Sequence, residues 1–318
     1  MRTIPILFTF DDKIILPACV CISSLLQSAD PDTFYDIFII HSDKYDLEHS
    51  DVACIPQYFT NCRLTFRSIS EEFVGAYEVR GIPETCYYRM LSPELILEYD
   101  KILYSDVDVI FREDQTKYYD VELGANCFGG VDKSCRTRKP VMDYARNVLG
   151  IDPSNGFYNS GNLLINLKQI REEGLCAKFR ELGKNNYRQQ DMDIINIACN
   201  GRFYSMPLAF CLAIDIYRMI VLHRDEMLEY YSEEEIDYAL KQGIVHYNGA
   251  KPWNGWSHHF DIWWEAYRHS PFFDEKYYLD FYDLREDELD RLPLKKRLKV
   301  LVRYFVYGRK IAVSELGY

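Results

Sequence analysis

Residues 101–111 read KILYSDVDVIF. Two acids, Asp106 and Asp108, stand one residue apart in a stretch otherwise rich in β-prone apolar residues. An ionised carboxylate leaves water only with a partner: a buried arginine, a row of backbone N–H groups or a metal. On extended chain, residues i and i+2 share a face. At a strand end the two carboxylates can converge on one cation, with Val107 anchored on the opposite side. A pair of loop acids bonded to backbone amides is the alternative.

The surrounding chain supplies the context. The opening run IPILFTF ends at Asp11-Asp12. Periodicity predicts a helix over about 16–27, a strand at DIFIIHS, helical chain over about 47–59, a strand at CRLTFRSI and a helix over about 85–98. Apolar strands alternating with helices imply an α/β fold with a mostly parallel central sheet covered on both faces. Ligands of such sheets sit beyond the carboxyl ends of the strands, where Asp11-Asp12 and Asp106–Asp108 can meet in one crevice. No Gly-x-Gly-x-x-Gly or Gly-x-x-x-x-Gly-Lys-Ser/Thr turn follows the first strand, which disfavours a dinucleotide oxidoreductase or a P-loop nucleotidase.

Further candidates lie downstream. His246 in GIVHYNGAKPW precedes a glycine turn ending in Lys251, offering an imidazole for a metal and a cation for a phosphate within a few residues. Arg89, in ETCYYRML, is either a surface arginine paired with Glu84 or Glu94, or the counter-ion of the acidic crevice. Asp191 and Asp193, in QQDMDII, suit the start of a helix by capping and the macrodipole. Gly156 and Gly161 permit close backbone approach to a ligand, or plain tight turns.

Composition narrows the class. With 318 residues, 48% of them hydrophobic, the chain can bury one large core. Its net charge of −12 argues against a broad nucleic-acid-binding face. Ten cysteines without a C-x-x-C spacing read as reduced thiols, and no apolar run reaches the roughly 20 residues of a membrane span, so a cytoplasmic protein is expected. One segment departs from this picture: residues 291–310 carry eight basic residues and no acid. There Leu294, Leu298, Leu301, Val302 and Phe305 form one helical stripe, and Lys296, Lys299 and Arg303 another. Such a helix suits peripheral attachment to an anionic membrane, or packing on the rest of the chain with its charges in water. The expected division is a catalytic domain over residues 1–284 and a basic amphipathic tail over 285–318.

Taken in order, the Asp-Asp after the first strand, YYR, LYSDVDVIF, YNSGNLLINL, QQDMDIIN and HYNGAKPW resemble glycosyltransferase family 8. The resemblance, over roughly residues 4–265, is strongest to bacterial galactosyl- and glucosyltransferases that build lipopolysaccharide or lipooligosaccharide. It implies a Rossmann-like GT-A fold, transfer with retention at the anomeric carbon, a UDP-hexose donor (galactose or glucose) and a glycan or glycolipid acceptor. It also implies Mn²⁺, with Mg²⁺ a weaker substitute. Carried over by position, Asp106, Asp108 and His246 are the expected metal ligands. Thr9, Asp11 and Lys13 fall around uracil and ribose. Arg89, Asp132, Asn159 and Asp191 fall around the donor sugar, with Asp191, Asp132 and Asn159 as catalytic candidates; Asp106 is also expected to bind substrate, and Gly249 and Lys251 fall around the diphosphate. Three positions depart from the pattern: Lys13-Ile14 replaces the frequent Asn-Tyr, no proline separates Gly249 from Ala250, and Met192 stands where bacterial members typically carry Gln. Two other readings remain open: a self-glucosylating enzyme of the glycogenin branch, which the 26 tyrosines allow, and a catalytically inactive nucleotide- or carbohydrate-binding module.

Overall fold

A computed structural model describes residues 1–70, 72–73, 75–78, 83–133 and 139–307 of the chain; Cys135 and residues 308–318 of the tail lie outside them. The first strand, β1 (Arg2–Thr9), is buried from Ile4 onward and lies at the centre of the main sheet. Its side chains alternate between two cores. Ile4, Ile6 and Phe8 pack with Cys19, Cys21, Ile22 and Leu25 of the helix Ile15–Gln27, whereas Leu7 packs with Tyr87, Tyr88, Ile194 and Ile195. A period of two with both faces buried is what a central parallel strand under two helical layers requires.

The remaining strands of this sheet are β2 (Thr33–Ser42), β3 (Cys62–Ile69), β4 (Ile102–Ser105), β6 (Phe128–Gly130), β7 (Asn162–Ile165) and β8 (Phe203–Ser205). Their order is β3-β2-β1-β4-β7-β6-β8, and β7 alone runs against its neighbours β4 and β6. Pro5 is tolerated in β1 because β4 joins it only from Ile6, so the missing N–H falls where β2 is the sole neighbour. A smaller sheet of β5 (Val109–Ile110), β10 (Val245–His246) and β9 (Leu212–Ala213) lies beyond the end of β4.

Three expected elements differ in detail. KILYSDVDVIF is not one strand: β4 ends at Ser105 and β5 belongs to the second sheet. The break occurs because the Asp106 N–H donates to Gly161 O (2.7 Å) while Asp108 O accepts from Tyr247 N–H (2.9 Å), so the intervening chain answers to two different partners. The helix expected over about 85–98 is a 3₁₀ helix, Glu84–Leu91, followed by one α-turn, Ser92–Leu95; Pro93 lacks an N–H and restarts the helix there. The stretch near 47–59 likewise breaks into the short turns Leu47–His49, Asp51–Cys54 and Ile55–Tyr58, with Pro56 opening the last. At the other end of the chain the helix Glu275–Asp290 runs through residue 284, and the helix Leu294–Tyr307 follows. The nine described cysteines are free thiols.

One arginine fixes the approach to β10. Arg112, just after β5, donates Nε to Gly243 O (2.6 Å), Nη1 to Leu240 O (2.9 Å) and Nη2 to Ala239 O (2.9 Å). These are carbonyls at the end of the helix Glu233–Gln242: Ala239 O also accepts from the capping Gly243 N–H (2.9 Å), whereas the next N–H, of Ile244, turns away to Ala209 O (2.8 Å) and leaves Leu240 O to the arginine. Replacing Arg112 by Ala is expected to lower stability by about 2–3 kcal/mol in urea unfolding, with Lys recovering little because an ammonium cannot reproduce the fork. An unchanged unfolding midpoint in Arg112→Ala would refute this role.

Candidate active site

A cavity of about 570 Å³ opens at the carboxyl ends of β1 and β4, lined by Thr9, Asp11, Arg89, Asp106, Asp108, Asn159, Asp191, His246, Gly249 and Lys251 among others. Asp106 is held at the end of β4 on one carboxylate oxygen. Its Oδ1 accepts from Tyr104 Oη (2.6 Å) and Arg89 Nη2 (2.9 Å), and its Oδ2 lies 3.5 Å from His246 Nε2. Asp108 Oδ1 lies 3.2 Å from the same nitrogen, yet accepts no aligned hydrogen bond although it is buried. Its Oδ2 pairs with the Lys251 ammonium, which also donates to Tyr247 O (2.7 Å).

One ligand atom from each of Asp106, Asp108 and His246 falls within 4.8 Å of the others. Two carboxylate oxygens and one imidazole nitrogen suit a divalent cation on the hard-to-borderline part of the scale. The backbone makes room for this arrangement: a Cβ on Gly161 would stand 2.2 Å from His246 Cε1 and 2.9 Å from Asp106 Oδ2. No side chain fits there. Burial alone would lower the His246 pKa, but the Asp108 carboxylate beside it raises it to about 10. Burial likewise opposes ionisation of Asp108, and Lys251 and His246 overcome it, holding this carboxyl well below its usual range.

Arg89 is the counter-ion of the crevice, not a surface residue paired with Glu84 or Glu94. Only 4% exposed, it donates Nε to Cys86 O (2.9 Å) and Nη1 to Ser160 O (2.5 Å), and stacks 4.1 Å above the Tyr104 ring. Its Nη1 also lies 3.4 Å from Asp191 Oδ2. Burial disfavours the guanidinium charge, but Asp106 and Asp191 more than compensate. Asp191 opens the helix Asp191–Ala198, and burial pushes its carboxyl above the usual range despite Arg89. The acid that performs ordinary helix-start duty is Asp193, whose Oδ2 accepts from Gln189 N–H (2.8 Å) and Tyr144 Oη (2.6 Å). Gln190, at φ 50° and ψ −122°, turns the chain into this helix with a positive φ that is uncommon outside glycine.

The other expected residues divide into two groups. Thr9 Oγ1 is 3.1 Å from Tyr104 Oη, Asp11 Oδ1 accepts from Lys13 N–H (3.1 Å), and Asn159 Oδ1 accepts from Gly161 N–H (2.7 Å). All three line the cavity, as do Lys13, Gly249 and Lys251. Asp132 does not: it lies buried, with Oδ1 accepting from Phe157 N–H (3.1 Å). The lining residue there is its neighbour Lys133, whose ammonium is 3.3 Å from both Gln189 Oε1 and Asp215 Oδ2. Met192 borders the cavity but roots its side chain among Ala145, Leu149, Ile151 and Phe157. Tyr104, Ser160 and Lys133 were not singled out in the sequence. Tyr104 was within reach, since it sits two residues before Asp106 on the same strand face.

The chain is similar to several known proteins. The chain is 26% identical over 237 residues to Glycosyltransferase GlyB of Streptococcus pneumoniae, a match spanning 70% of this chain and 54% of GlyB, about half its length. It is 24% identical over 270 residues to the lipopolysaccharide 1,2-glucosyltransferase of Escherichia coli, covering 81% of this chain and 75% of that protein. Among solved structures, the galactosyltransferase LgtC, in complex with donor and acceptor sugar analogs, superposes with a TM-score of 0.68 at 24% identity over 86% of this chain and 99% of LgtC. The bifunctional glycosyltransferase WbbM superposes with a TM-score of 0.69 at 20% identity, over 88% of this chain and 51% of WbbM. The two superpositions establish the GT-A fold. The profile of Glycosyl transferase family 8 matches residues 5–257, and the chain belongs to that family.

Proposed function

We propose that this chain is a metal-dependent, retaining hexosyltransferase that moves galactose or glucose from a UDP-sugar to a glycan acceptor of the cell surface. The observation that carries the reading is the convergence of Asp106, Asp108 and His246 beside the buried Arg89–Asp191 pair. A divalent cation on that trio, Mn²⁺ in preference to Mg²⁺, supplies Lewis-acid neutralisation of the leaving diphosphate. Lys251, lining the cavity with Gly249, adds a positive charge for the same diphosphate. Thr9, Asp11 and Lys13 take the uridine side. Asp191 orients the hexose and offers its carboxylate to the positive charge developing at the anomeric carbon, while Arg89 keeps that carboxylate in place. Asn159, with Asp132 behind the lining, completes the sugar wall. Met192 offers no amide oxygen and roots its side chain among Ala145, Leu149, Ile151 and Phe157; in this reading the acceptor hydroxyl attacks from the face the diphosphate leaves, and a phosphate oxygen receives its proton.

In the same reading residues 1–284 are the catalytic domain and residues 285–318 attach it to the cytoplasmic face of the membrane. Among the described residues no helix is long and apolar enough to cross a bilayer. In the helix Leu294–Tyr307, however, Leu294, Leu298, Leu301 and Val302 each expose more than half of their surface. An apolar stripe left in water beside lysines suits an anionic interface, each basic residue there contributing about 1 kcal/mol. A lipid-linked acceptor follows from that placement.

Incubation with Mn²⁺ and a panel of UDP-sugars should release UDP from UDP-galactose or UDP-glucose, and Asp108→Ala should abolish the release. Mass spectrometry of the same mixture should find Asp191 unmodified. Absence of both turnover and UDP binding would defeat the assignment, and a glycosylated Asp191 would replace same-face attack by double displacement. Gly161→Ala should weaken Mn²⁺ binding in the presence of UDP more than about tenfold by calorimetry, because the added methyl meets the imidazole. Removing residues 291–318 should release the protein from phosphatidylglycerol vesicles in a sedimentation assay; undiminished vesicle binding would rule out the tail as the anchor.

A further inference from the structure

We infer that Cys211 is a positioning residue for the His246 imidazole, accepting the Nδ1 proton on its sulfur and thereby directing the Nε2 lone pair at the metal position. Cys211 Sγ lies 3.6 Å from His246 Nδ1, within N–H···S reach, and Cys211 is fully buried. The backbone fixes the contact. Cys211 directly precedes β9, which runs parallel to β10 with Leu212 opposite Val245 and Ala213 opposite His246. Leu212 N–H also donates to Ile244 O (2.7 Å). The backbone that carries the sulfur is therefore fixed beside the ring.

The ring is confined on its other sides as well. The face that a Gly161 Cβ would occupy is pressed against the backbone, and Nε2 points at the two carboxylates. Once a cation takes Nε2 the imidazole carries one N–H, and it stays on Nδ1 only where the group beside Nδ1 accepts it. Were the thiol to donate its proton to Nδ1, the hydrogen would move to Nε2 and face Asp106 and Asp108, occupying the direction a cation needs. With sulfur as acceptor, Nδ1 keeps its proton whether or not Nε2 is coordinated. Metal-bound histidines generally give this proton to a carboxylate or carbonyl, so a thiol is a weak acceptor that withholds negative charge from the ligand. The inference rests on the proposed metal reading, but the Nδ1–sulfur contact is measurable without metal.

The test compares Cys211→Ser, Cys211→Ala and Cys211→Val with the parent chain, using circular dichroism to confirm folding. In the metal-free proteins, the His246 Nδ1 proton should appear in ¹H–¹⁵N spectra as slowly exchanging in the parent and in Cys211→Ser. In Cys211→Ala and Cys211→Val it should exchange rapidly. Calorimetry with Mn²⁺ and UDP should show Cys211→Ser close to the parent, and the Ala and Val variants weakened roughly 10- to 100-fold. Folded Cys211→Val that binds Mn²⁺ like the parent, with an unchanged Nδ1 proton, would overturn the inference while leaving the metal site intact. If the parent shows the protected proton but takes up no Mn²⁺, the positioning contact stands and the proposed function fails.

Discussion

The site is organised by a row of alternating charges: Asp191, Arg89, Asp106, His246, Asp108 and Lys251. Each neighbours the next within ion-pair distance. With the imidazole protonated, three anions face three cations. Such a row answers the opening puzzle of carboxylates at the end of a core strand. A buried charge is tolerable only when its partners are correctly placed, and removal of one member leaves its neighbour uncompensated. The six residues come from distant parts of the chain, so the row also ties the first half of the main sheet to the second sheet and to the helix Asp191–Ala198.

The architecture exists to hold that row. β4 delivers Asp106 and stops; β5 departs for another sheet, which leaves Asp106-Val107-Asp108 spanning the gap. β10 runs antiparallel to β5 with His246 opposite Val109, placing the imidazole beside both acids. Arg112 secures the helix end just upstream of β10. Gly161, at the mouth of β7, supplies the absent side chain that lets the imidazole approach.

Much of this was legible because its signals are local. The continuous apolar runs of β1 and β2 declare a parallel sheet, and the spacing of Asp106 and Asp108 places both on one side of extended chain. What local signals leave undecided is non-local. Gly161 reads equally as a turn glycine until the ring it accommodates, 85 positions later, is seen beside it. Arg89 is indistinguishable from a surface arginine unless the Asp191 partner is known. The pattern around Asp132 marked the right turn of chain, but bridge pairing with Tyr158 turns that residue inward and brings Lys133 to the cavity. Helical boundaries failed at Pro56 and Pro93, where a missing N–H outweighs an apolar periodicity.

The Lys251 ammonium sits on the very carboxylate that a divalent ion would need. On the proposed function a cation would meet Asp108 through Oδ1, beside His246 Nε2, while a pyrophosphate would offer the Lys251 ammonium a second anion. Occupancy of the two positions would then be linked, and by thermodynamic reciprocity each ligand would raise the affinity for the other by the same factor. On the proposed function, the full electrostatic clamp would assemble only around the nucleotide–ion pair.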